Sequence, residues 1–95
     1  MNLRFTPRAV RNLTAIGAYL TERNPAAAVR VRADIYEALR DVLLFPNLGK
    51  SQRTEGVRKL VTRRYAYLVY YIVEADEVVV LSVRHGARRR EHQDT

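Results

Sequence analysis

Residues 65–73 read YAYLVYYIV, and the tyrosine hydroxyls are the only polar side-chain groups in the run. In a strand, successive side chains point to opposite faces. Here Tyr67, Val69, Tyr71 and Val73 are as apolar as Ala66, Leu68, Tyr70 and Ile72. A strand with two oily faces needs cover on both. A chain of 95 residues has little to supply it, and one domain is the expectation at that length.

The rest of the sequence shows how much cover exists. Leu3–Phe5 reads as a short first strand. Thr6-Pro7 then gives an N-cap with proline at the first helical position. Val10, Leu13, Ile16, Gly17 and Leu20 follow at helical spacing, over about four turns. Asn24-Pro25 repeats the start signal. The second helix carries Ala28, Val31, Ile35, Ala38, Leu39 and Val42 as its buried stripe. Arg30, Asp34, Glu37, Arg40 and Asp41 fall largely outside that stripe. Pro46, Asn47 and Gly49 end it. The short connection predicts an antiparallel helical hairpin. Residues 46–56 read as a loop. Val57–Val61, Tyr65–Glu74 and Val78–Arg84 read as strands, the last two joined by Ala75-Asp76 as a hairpin.

The order is α+β: an N-terminal β-strand, an antiparallel helical hairpin, then a three-stranded antiparallel sheet. We expect one domain over 1–90 and a polar, frayed tail over 91–95. One hairpin caps one sheet face. The other face of the Tyr65–Val73 strand is expected to stay partly open, which on a small protein marks an interface. A symmetric homodimer is the alternative cover; the tail is too polar to serve.

Charge narrows the partner. The net charge is +7, and residues 50–90 carry ten Lys/Arg against four acids. An acidic protein or a nucleic acid is the natural counterpart. The chain has no cysteine, which excludes disulfides, thiolate catalysis and Cys-based zinc sites. No metal-spaced histidine pair, phosphate-binding glycine loop or Ser/His/Asp set occurs, so no metal or cofactor is expected. There is no apolar leader and no membrane span, so a cytoplasmic protein without membrane contact is the expectation. A helix-turn-helix over residues 7–45 fails on spacing, because Asn24-Pro25 joins two long helices with no short recognition helix.

Four local marks occur together. Phe45-Pro46 with Gly49 follows the second helix. Gly56-x-Arg58 opens the next strand. Tyr65-x-Tyr67-Leu68-Val69-Tyr70-Tyr71 forms the middle one. Val83-Arg84-His85-Gly86-Ala87-Arg88 ends the last. In this order and at this length the chain resembles the RelE/ParE superfamily of bacterial type II toxins, and the His-Gly-Ala-Arg ending is similar to ParE-type members. The resemblance implies a toxin neutralised by a cognate antitoxin, in a heterodimer or heterotetramer. It also implies one of two actions. ParE-like members inhibit DNA gyrase by protein binding, with a role in plasmid stabilisation and growth arrest. RelE-like members cut mRNA on the ribosome.

The residues divide accordingly. For antitoxin or target binding we expect Arg58, Arg63, Tyr67, Val69, Tyr71, Arg84 and Arg88. On the ParE-like reading there is no catalytic residue. On the RelE-like reading His85 is the acid or base, Arg58 and Arg63 hold phosphate with help from Arg84 and Arg88, and Tyr65 donates a proton. His85 ends a strand, where a histidine is more often a structural hydrogen-bonder than a catalyst. The tyrosines could stack on bases, but core and interface roles with a polar tip are simpler. A small nucleic-acid-binding protein without toxic action is the third alternative.

Overall fold

The computed structural model describes residues 1–86. Arg88 and the expected tail 91–95 lie outside the described residues. The elements run β1 (Asn2–Phe5), α1 (Pro7–Arg23), α2 (Pro25–Leu44), β2 (Lys50–Ser51), β3 (Arg58–Val61), β4 (Tyr67–Glu74) and β5 (Glu77–His85).

Both helices start where the sequence says. Thr6 Oγ1 accepts from Ala9 N at 3.1 Å, and Pro7 occupies the first turn. Asn24 closes one helix and opens the other. Its backbone N–H donates to Leu20 O at 2.6 Å, while its Oδ1 accepts from Ala27 N at 3.1 Å. Each side-chain cap contributes about 1 kcal/mol. With no residue to spare between them, the helices fold back as a hairpin.

The strands form one five-stranded sheet in the order β1-β5-β4-β3-β2. The expected three antiparallel strands are present as β3, β4 and β5, and β1 and β2 extend them into a mixed sheet. β1 joins it parallel to β5, pairing Leu3 with Val78 and Phe5 with Val80. The chain between them, the helical hairpin followed by β2, β3 and β4, supplies the long connection that parallel pairing requires. A further two-residue strand, β2, arises within the expected 46–56 loop and pairs with β3.

Both helices pack on one face of the sheet. Ala9, Leu13, Ile16, Leu20, Val31, Ile35 and Leu39 meet Tyr67, Val69, Val80 and Val83 there. Val42 continues the layer over Tyr71 and Val78. Each such aliphatic side chain, fully buried, contributes roughly 1.5–3 kcal/mol. The stripe expected on α2 is the one buried, with Ala28 half-buried at its start. On α1, Val10 departs from expectation. It is 51% exposed, and Ala9 is buried in its place.

One irregularity sets side-chain parity. Tyr70 pairs with Ser82 but Tyr71 pairs with Val80, so Leu81 is an extra residue on β5. Such a bulge reverses the alternation beyond it. Val78 and Val80 face the helices before it, and Val83 and His85 after it. Without it Ser82 would enter the core and Val83 would leave it. Thr6 Oγ1 donates to Leu81 O at 2.9 Å, and Val83 N donates to Asn12 Oδ1 at 2.9 Å, so α1 holds the bulged backbone.

Candidate functional site

Three regions contain the residues singled out by the sequence. The first is a knot between the loop after α2 and the strands beside it. Tyr71, fully buried, donates its hydroxyl to Pro46 O and accepts from Gly49 N, both at 2.8 Å. A Cβ on Gly49 would lie 2.8 Å from Tyr71 Cε1 and from its oxygen, so only glycine fits. Arg58 faces the same side and donates from Nη1 to Gly49 O at 2.7 Å and Asn47 O at 3.3 Å. The Phe45-Pro46, Gly49 and Arg58 marks thus converge on one internal structure. Arg58, expected to grip a partner, is committed to two loop carbonyls.

The second region is the turn from Thr62 to Ala66. The expectation ran the strand from Tyr65, but β4 begins at Tyr67. Ala66 sits in the left-handed region at φ 55° and breaks the extended run. Asp34 holds the turn. Its carboxylate accepts from Arg64 N at 3.2 Å and Tyr65 N at 2.9 Å, and the residue is 3% exposed. The sequence pattern had set Asp34 outside the buried stripe. The two backbone donors make its burial tolerable. Tyr65 accepts from Arg30 Nε at 3.1 Å. Arg63 points outward, 77% exposed, 3.7 Å from Asp41. His85 lies edge-on to the buried Tyr67 ring, centroids 4.8 Å apart. Gly86 N donates to Ala66 O at 2.9 Å, and a Cβ on Gly86 would strike that oxygen, which explains the glycine after His85.

The third region is the open sheet face. Tyr67, Val69 and Tyr71, expected to receive a partner, lie on the helix-covered face and are buried in the core. The alternate set takes the other face. Cross-strand pairing arranges it in rows: Val61–Leu68–Arg84, Lys59–Tyr70–Ser82 and Ile72–Val79–Arg4. Both helices pack on the opposite face, so among the described residues no helix covers these rows. Leu68 and Val79 are nonetheless buried. Arg84 lies 5.8 Å from the Tyr70 ring centroid, close enough for a cation–π contact. Arg4 pairs with Glu77 at 3.0 Å. The face is an aromatic and aliphatic strip bounded by cations. Parity would have identified it, but parity depends on knowing which face the helices take.

Of the four residues of the RNA-cleavage expectation, two sit on strands that flank β4. Arg58 pairs with Tyr71, and His85 with Tyr67. Those partners are four residues apart on β4, roughly 13 Å at about 3.3 Å per residue.

The comparisons agree with this architecture. The family described as the ParE toxin of the type II toxin-antitoxin system parDE matches residues 3–90. The protein Y4kP of Sinorhizobium fredii is 37% identical over 84 residues, covering 88% of this chain and 86% of its own. Toxin RelE3 of Caulobacter vibrioides is 31% identical over 86 residues, covering 88% and 92%. Among solved structures, a chain of the chromosomal ParDE system from P. aeruginosa superposes with a TM-score of 0.78 at 25% identity, over 90% of this chain and 95% of that one. The isolated E. coli RelE toxin shares the fold at a TM-score of 0.70 and 23% identity, over 98% and 92%. A match across nearly the whole chain, with relatives above 30% identity, carries the conclusion: this chain belongs to the ParE toxin family of type II toxin–antitoxin systems.

Proposed function

We propose that the protein is a toxin silenced by a cognate antitoxin and that, once free, it inhibits DNA gyrase in the cytoplasm by binding, not by chemistry. The carrying observation is the separation of Arg58 from His85 along β4. Cleavage by 2′-hydroxyl attack needs an acid, a base and a cation around one phosphate. Here Arg58 is tied to the loop carbonyls, and His85 lies against a core tyrosine. A binder has no such requirement. The open face, with Tyr70 and Ile72 framed by Arg4, Lys59 and Arg84, suits an acidic amphipathic antitoxin segment that keeps the toxin from its target. The P. aeruginosa relative comes from a ParDE system, and an E. coli neighbour from a RelBE complex.

The test is controlled expression in a bacterial host. Loss of plasmid supercoiling and induction of the DNA-damage response, with protein synthesis continuing, are expected. The ribonuclease reading draws support from the likeness to toxin RelE3. Rapid translation arrest with codon-linked mRNA cuts would establish it and overturn gyrase as the target. Salt-dependent binding to bare nucleic acid without a growth defect would overturn both.

A further inference from the structure

The loop after α2 holds one conspicuous residue that its own fold does not use. Every residue from 45 to 49 has its backbone held by at least one hydrogen bond. Phe45 N donates to Asp41 O at 2.8 Å, and Leu48 N donates to Phe45 O at 2.9 Å. Tyr71 and Arg58 fix Pro46, Asn47 and Gly49. These contacts account for Pro46, Gly49 and Arg58 in the sequence marks. They do not account for the Phe45 ring, which is 64% exposed. Leu44 beside it is 68% exposed, and Leu48 is 48%. The bond from Leu48 to Phe45 closes a turn, which puts their Cα atoms within about 7 Å. Single exposed apolar residues are ordinary; a group of them marks an interaction site.

We infer that this loop is the anchor by which the free toxin grips its protein target, with Phe45 inserted into an apolar, acid-rimmed pocket of a folded partner. The inference rests on the gyrase-binding reading above and gives the target a contact other than the rows of the open sheet face. Shape selects the occupant first. A protruding ring needs a receiver whose pocket is already formed, and folded proteins carry such pockets. A segment that orders on binding works the other way, laying its own side chains into grooves. The loop is fixed beforehand, so little freedom is lost when Phe45 is buried. Aromatic anchors that fill pockets carry much of the energy of an interface. Charge selects next. Lys50 follows the loop and stands directly opposite Lys59 across β2 and β3. Like charges so placed are unfavourable, and neither lysine forms an ion pair among the described residues. The acids near Leu48, Glu37 and Asp41, share a small cavity with Arg63. An acidic rim on the partner would relieve the lysine repulsion, whereas a second copy of this chain, at +7, would add to it.

The experiment measures target inhibition, antitoxin binding and stability on wild type, Phe45→Ala, Phe45→Leu and Lys50→Glu. The target probe is purified DNA gyrase holoenzyme in a plasmid supercoiling assay. The antitoxin probe is the full-length protein encoded by the adjoining reading frame, titrated by calorimetry. Phe45→Ala should raise the half-inhibitory concentration by about tenfold or more. Its thermal midpoint should stay within about 4 °C of wild type, because the ring is exposed, and its antitoxin affinity should be unchanged. Phe45→Leu, which restores an apolar group, should recover part of the inhibition. Lys50→Glu should weaken inhibition and flatten its salt dependence. Inhibition by Phe45→Ala as strong as that by wild type would overturn the anchor and leave the gyrase reading standing. Wild type that leaves gyrase active would remove that reading and this partner together. A midpoint that falls along with inhibition in both Phe45 variants would assign the ring to the fold and overturn the inference. Loss of antitoxin binding with inhibition intact would make the antitoxin the occupant, and a wild-type dimer that Phe45→Ala dissolves would make it a second copy; either result overturns the assignment to the target.

Discussion

The two faces of β4 have nearly the same hydropathy and different environments. Tyr67, Val69 and Tyr71 lie under the helices, while Leu68, Tyr70 and Ile72 face away. On the covered face a tyrosine hydroxyl is an internal post: Tyr71 fixes Pro46 and Gly49. On the open face Tyr70 lies near the guanidinium of Arg84 and, among the described residues, has no helix above it. One residue type thus maintains the fold on one side and offers contact area on the other. Oiliness alone does not separate the two roles; neighbours across the strand do.

Substitutions can break this contrast, and the largest effect is expected at Tyr71. Tyr71→Ala removes a buried ring and strands two loop hydrogen bonds, and should lower unfolding free energy by about 3–5 kcal/mol in urea titrations. Next comes Asp34→Ala, which leaves the Arg64 and Tyr65 amides without their carboxylate. A loss of about 1.5–3 kcal/mol is expected, with faster amide exchange confined to residues 62–66. Tyr71→Phe keeps the ring and drops only the hydroxyl; the same titration should show a loss of about 1–2 kcal/mol. The smallest change in stability belongs to Tyr70→Ala, about 1 kcal/mol or less. That variant should nonetheless weaken antitoxin binding by calorimetry, which Tyr71→Phe should not. If Tyr70→Ala destabilised the fold as much as Tyr71→Ala, the two faces would not differ in role. His85→Ala sharpens the same contrast on the activity side, since full growth inhibition by that variant is expected of a binder.

The helices were legible because their signals are local. Thr6-Pro7 and Asn24-Pro25 specify caps that need nothing beyond three residues of chain. The stripe from Val31 to Val42 likewise follows from helical period alone. What stayed hidden depends on distant partners. The parallel pairing of β1 with β5 joins the two ends of the described chain, and no periodicity encodes it. The bulge at Leu81 reverses the parity of Ser82 and Val83, which simple alternation misassigns. Asp34 looked like a surface acid because the amides it caps lie 30 and 31 residues further on. Arg58 was recognised by its Gly-x-Arg setting, but its loop-holding contacts depend on where Gly49 falls in space.

The short strand β2 has a consequence for how copies of this protein can associate. It offers two residues, and the Gln52 side-chain amide donates to the carbonyls of both, at 2.7 Å to Lys50 and 3.1 Å to Ser51. That leaves β1 as the longer edge of the sheet. An open filament built by edge pairing needs two different sticky edges on each subunit, one to give and one to receive. With a single usable edge, strand pairing between copies closes at two chains. Edge pairing between copies of this toxin would therefore stop at two chains and not extend into fibres.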